Sequence, residues 1–95
     1  MGRIARPKPG RLGEKLLKIR NSLGLSQDQM LARLGLSKGL YRSAVSGYEL
    51  GTREPPLRVL LTYAEIAGVW VDALIDDELE LPENLPANQR RKLQS

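Results

Sequence analysis

Residues 23–51 read LGLSQDQMLARLGLSKGLYRSAVSGYELG, and the punctuation of this stretch decides the fold. Ser26 stands where a helix N-cap belongs, and Gln29, three residues on, completes a capping box. Met30, Leu31 and Leu34 then form an apolar stripe that ends at Gly35, a helix of barely two turns. A further helix is expected from about Ser43 to Leu50, stopped by Gly51. Drawn from Arg42, it sorts at about 100° per residue into two sides. Ala44, Val45, Tyr48 and Glu49 share the side that packs, and Arg42, Ser43, Ser46, Gly47 and Leu50 share the free one. That free side offers a forked donor, two hydroxyls and a glycine, small or hydrogen-bonding groups able to approach base edges. Taken alone, it is equally what any solvated helix presents.

On either side of this stretch the helical signals continue. Leu12, Leu16, Ile19 and Leu23 recur at helical spacing up to Gly24. After Pro55 and Pro56, which cost little at a helix start, a helix runs from Leu57 to Ala67 and closes at Gly68. Trp70 to Asp76 reads as a short fifth helix with Leu74 and Ile75 turned inward. Strand signals are weak, so the fold class is all-α, a compact five-helix bundle. From Asp77 onward charge and proline alternate, and extended or frayed structure is expected rather than another core element. The organisation is thus a flexible basic arm (1–10), a helical domain (11–77) and a charged, proline-containing tail (78–95).

With 95 residues the chain has room for one small domain. It has no Cys and no His, which removes zinc sites built on those ligands, thiol nucleophiles, histidine bases and disulfides together. Asp76, Asp77, Glu78 and Glu80 lie consecutively at a helix end without distributed partners, so no metal is expected. No enzyme, cofactor or small-molecule substrate is expected either. No apolar run approaches the roughly 20 residues that span a bilayer, and the N-terminus lacks a signal-peptide core, so a soluble, cytoplasmic protein is expected.

The net charge of +4 is unevenly distributed. Residues 1–20 hold seven bases against Glu14 alone, whereas residues 65–83 hold seven acids and no base. One end attracts phosphate and the other repels it. Arg3, Arg6, Lys8 and Arg11, interleaved with Pro7, Pro9 and Gly10, form either a solubilising tail or an arm that wraps a polyanion. Double-stranded DNA is favoured over RNA, because the basic regions have only Tyr41 and Tyr48 nearby for base stacking.

A short capped helix, a tight glycine turn and a second helix form the helix-turn-helix pattern. Leu12 to Ile75 resembles the Xre-type, lambda-repressor-like DNA-binding domain through LGEKLLKIRNSLGLSQDQM, SAVSGYELGTREPP and LLTYAEIAGVWVDALI. Its most diagnostic pieces are LGLSQ at 23–27, Ser46, Glu49 and Gly51 in S-x-x-E-x-G, and REP at 53–55. The resemblance implies base contacts from Arg42, Ser43, Ser46 and Gly47. It implies DNA-backbone contacts from Ser26, Gln27, Thr52 and Arg53, with Lys38 adding one from the preceding turn. Arg20 and Glu49 match a structural ion pair.

The link from Ser37 to Arg42 is about four residues longer than the family pattern, with Lys38, Gly39, Leu40 and Tyr41 as the excess. If the excess winds on as an extra turn, Tyr41 falls on the packing side with Tyr48; if it loops, Tyr41 can touch DNA backbone. Trp70 stands where a small polar N-cap is usual, and with Val71 it is a candidate dimer contact or ordinary core filling.

The expected function is a sequence-specific DNA-binding regulator, a repressor acting by occupancy as a homodimer on an inverted repeat in a bacterial or phage setting. The alternative is an antitoxin or adaptor on the same fold, whose main partner is a protein bound through the acidic tail or Trp70.

Overall fold

Ser26 caps its helix as the spacing requires: its hydroxyl accepts the Gln29 amide at 3.0 Å, and the Gln29 side chain accepts the Ser26 amide at 2.8 Å. The computed structural model describes residues 10–87 and gives the order α1 (Leu12–Ser22), α2 (Gln27–Arg33), α3 (Lys38–Tyr41), α4 (Ala44–Leu50), α5 (Leu57–Ala67) and α6 (Asp72–Ile75). The expected five-helix bundle is present, with α3 as one additional turn. Gly24, Gly35, Gly51 and Gly68 all hold positive φ, where a side chain would be strained, and each ends a helix at or beside the position its spacing indicates.

The core is aliphatic, drawn from Leu12, Leu16 and Ile19 of α1, Met30 and Leu31 of α2, Val45 and Tyr48 of α4, and Val59, Leu60 and Tyr63 of α5. Helices α1 and α4 approach until backbone meets backbone. A Cβ on Gly13 would stand 2.6 Å from the Glu49 carbonyl oxygen, so glycine here lets α4 lie directly across the start of α1.

Several expectations are corrected. The insert does wind, but as the separate turn α3: Ser43, at φ −107° and ψ 12°, interrupts the coil, and α4 begins at Ala44. Tyr41 is 39% exposed rather than buried in the core. Ile75 is also exposed, leaving Leu74 as the buried residue of α6, since four residues can turn only a narrow stripe inward. Trp70 precedes α6 and is 86% exposed, with only its carbonyl engaged by the Ala73 amide.

The largest correction concerns the stretch after Asp77. It is irregular, as expected, yet Leu81 and Leu85 are buried members of the core. Each apolar side chain buried in this way removes more surface from water than an exposed tail would. The packed unit therefore extends past Asp77, at least to Leu85.

Tyr63 is fully buried, and its hydroxyl has no hydrogen-bond partner among the described residues. Burial accordingly pushes its ionisation upward. Tyr63→Phe keeps the ring and removes a desolvated hydroxyl, so thermal unfolding is expected to show stability unchanged or raised by up to about 1 kcal/mol. A loss of about 2 kcal/mol or more would mean that the hydroxyl is satisfied.

Candidate nucleic-acid interface

Glu49 organises this face. Its carboxylate accepts Arg20 Nε at 2.6 Å and Nη2 at 3.1 Å, and the Gln27 side-chain amide at 3.1 Å. Arg20 Nη1 donates to the Leu25 carbonyl at 3.0 Å. A single fork thus ties α1, the turn before α2, the first residue of α2 and α4 into one block. The Glu49 hydrogen bond holds Arg20 more firmly protonated than usual. The structural pairing expected for Arg20 and Glu49 is present, and Gln27 joins it.

Arg42 and Ser43 lead into α4 from an exposed turn, and Ser46 lies half-buried one turn on. Among the described residues Arg42 makes no hydrogen bond or ion pair, which leaves its five donors free. Gly47 departs from expectation: it is buried, and a Cβ there would meet the Arg53 side chain at 3.1 Å. It serves as the floor on which the Arg53 stem lies, rather than a surface open to a base.

The loop after α4 is folded back onto the helix. Thr52 and Arg53 amides both donate to the Gly47 carbonyl, at 3.0 and 3.1 Å, which lays Arg53 against Gly47 while leaving it exposed. Ser26 is occupied in its capping box, as a dual role would require. Lys38 faces Asp28 at 3.3 Å, with both side chains largely exposed, a weak surface pair that leaves the ammonium free to exchange partners. Of the expected backbone-contact residues, Ser26 caps α2 and Gln27 opens it, Lys38 and Tyr41 lie in α3, and Thr52 and Arg53 lie in the loop that follows α4.

Three cations counted toward phosphate attraction are used internally. Lys15 is 2% exposed, and its ammonium donates at 2.8 Å to each of the carbonyls of Ala73, Asp76 and Leu79. Arg20 is committed to Glu49. Arg11, expected in the arm, instead forks onto Glu80 at 2.9 and 2.8 Å. The Arg11 hydrogen bond in turn holds the Glu80 carboxyl below its usual range.

One signal for Lys15 was available: Leu12, Lys15, Leu16 and Ile19 follow the i, i+3, i+4, i+7 pattern of a buried stripe. Arg3, Arg6 and Lys8 lie outside the described residues. So do Arg90, Arg91 and Lys92. Within 10–87 nine bases face eleven acids, so the chain's positive excess resides in its two ends.

Val71 is half-buried against the core, so only Trp70 of the expected interface pair is fully presented. Leu57 and Leu61, one helical turn apart on α5, are also exposed, an apolar feature that the sequence reading passed over. No helix among the described residues is long and apolar enough to cross a membrane.

Comparison with known proteins places this geometry. The helix-turn-helix family model matches residues 16–72, well over half of the chain. The chain is 37% identical over 84 residues to the SPbeta prophage-derived uncharacterized HTH-type transcriptional regulator YonR of Bacillus subtilis (strain 168), an alignment covering 79% of this chain and 74% of that protein. It is also 37% identical over 65 residues to the uncharacterized HTH-type transcriptional regulator YqaE of the same organism, covering 68% of this chain and 53% of that one. No solved structure matches at a significant level. With a capped α2, an α4 locked to α1 through Glu49 and a matching family model, the chain belongs to the Xre-type, lambda-repressor-like helix-turn-helix family of HTH-type transcriptional regulators.

Proposed function

We propose that this protein binds double-stranded DNA sequence-specifically as a homodimer and represses transcription by occupying an inverted-repeat operator in the bacterial cytoplasm. The observation that carries this reading is the free leading end of α4, with Arg42, Ser43 and Ser46 outward, on a block made rigid by Arg20, Glu49 and Gln27. The N-terminal residues of such a helix are those that reach base edges in the major groove. Arg42 is suited to fork onto guanine O6 and N7, and Ser43 and Ser46 to shorter contacts with bases or phosphates. Ser26 and Gln27 at the start of α2, Lys38 and Tyr41 in α3, and Thr52 and Arg53 after α4 supply phosphate contacts that set register.

In a dimer, two copies of α4 meet successive major-groove turns about 34 Å apart. Exposed Trp70 supports an interface close to α6, with Val71 at its edge.

Selection of duplexes from a random pool by the full chain tests the reading: a palindromic motif is expected, and recovery of no motif would overturn it. Fixed-stoichiometry co-purification with a second protein, without a DNA motif, would favour the antitoxin or adaptor alternative instead. On the selected duplex, Arg42→Ala is expected to cost about 1–3 kcal/mol and to relax preference at one base pair. Arg53→Ala is expected to weaken all duplexes alike. Quantitative competition with single-base variants separates the two, and equal relaxation by both substitutions would contradict these roles.

A further inference from the structure

Gly10 and Arg11 form the root of the basic arm, and the acidic stretch behind α6 grips them. The two carboxylate oxygens of Asp77 accept the Gly10 and Arg11 amides at 2.8 and 3.1 Å. The Arg11 guanidinium reaches the Asp77 carbonyl at 3.0 Å and forks onto Glu80. Lys15, one turn further along α1, fastens the same stretch through three carbonyls, and Leu81 and Leu85 anchor it in the core.

Lys15, Leu81 and Leu85 suffice to hold the segment. The carboxylates of Asp77 and Glu80 are solvent-exposed, so their pairs add little stability. What they do fix is the backbone at Gly10, which would otherwise turn freely. The Gly10 and Arg11 amides hold the Asp77 carboxyl below its usual range, in keeping with a grip formed by an ionised group.

Resting on the DNA reading above, we propose that Asp77 and Glu80 are positioning residues for duplex binding. They set the point and direction from which Arg3, Arg6 and Lys8 leave the domain. A tethered group acts at an effective concentration set by where its tether begins, so a fixed root concentrates these three cations at one place on the duplex. The effect of these two carboxylates on binding is then opposite in sign to that expected from charge alone. Carboxylates repel phosphate, and their simple neutralisation should tighten binding.

The experiment is a cycle on the full chain, measuring equilibrium affinity for the selected duplex at fixed salt. One axis is Asp77→Asn with Glu80→Gln, and the other is Arg3→Gln with Arg6→Gln and Lys8→Gln. Thermal unfolding of every variant checks the fold, with shifts of only about a few degrees expected. Neutralising the grip is expected to weaken binding about two- to threefold with the basic arm present, and to leave it unchanged or tighter with the arm neutralised. Glu80→Gln alone, which spares the Asp77 contacts, is expected to give a smaller loss in the same direction.

Equal loss in both backgrounds, or tightening in both, would overturn the proposal while leaving DNA binding intact. Absence of duplex binding by the unaltered chain would overturn the DNA reading and this inference with it.

Discussion

Raising salt from 50 to 200 mM is expected to weaken duplex binding by about a thousandfold, the response when about six phosphates are neutralised per bound unit. The domain itself cannot supply that from its net charge, because within residues 10–87 acids outnumber bases. Arg11, Lys15 and Arg20 are spent on the protein's own carboxylates and carbonyls. The proposed phosphate contacts are Arg42, Arg53 and Lys38 from the domain, with Arg3, Arg6 and Lys8 from the arm. Neutralising those three arm residues should therefore reduce the same salt response to about fortyfold, in line with roughly 0.9 of slope per phosphate. Lys15→Gln should leave the slope unaltered. Fluorescence anisotropy across a salt series would check both values, and a flat response would contradict phosphate-driven binding.

Glu49→Ala is expected to destabilise the fold by about 3 kcal/mol, or a fall in melting temperature of about 15 °C. Glu49 is nearly buried at 6% side-chain exposure, and Arg20 retains 15%, so removing the carboxylate strands a guanidinium that water reaches poorly. Gln27 loses its side-chain partner in the same step. The orientation of α4 on α1 then rests on the Gly13 backbone contact and the core alone. Replacing Arg20 and Glu49 together by leucine should cost less than Glu49→Ala, because no charge is then left unpaired. A calorimetric series on the three proteins tests this, and a double variant worse than the single one would show that the pair stabilises beyond satisfying itself.

These expectations divide according to what local pattern can reveal. The capping box at Ser26 and Gln29, the glycine stops and the stripes of α1, α2 and α5 are short-range signals. A cap, a left-handed terminus and an i, i+3, i+4 repeat are each decided within one or two turns of chain. The motif through Ser46, Glu49 and Gly51 likewise identified the helix that carries the candidate site. Its start, expected at about Ser43, falls at Ala44; the break at Ser43 that separates α3 from α4 was not legible, since composition alone allows a continuous helix there.

The amino-acid sequence by itself determined the helical class, the order of the five main helices and, through family resemblance, the Arg20–Glu49 partnership. Tertiary structure alone decided the employment of the charges and the end of the core. Lys15 looks like a solvated cation until α6 and the turn after it deliver three carbonyls to it, and Arg11 looks like arm until Asp77 and Glu80 arrive from the far end of the domain. Leu81 and Leu85 look like tail until the core receives them. Each of these depends on partners some 60 or more residues away, whose energy of contact exists only once the chain has closed on itself.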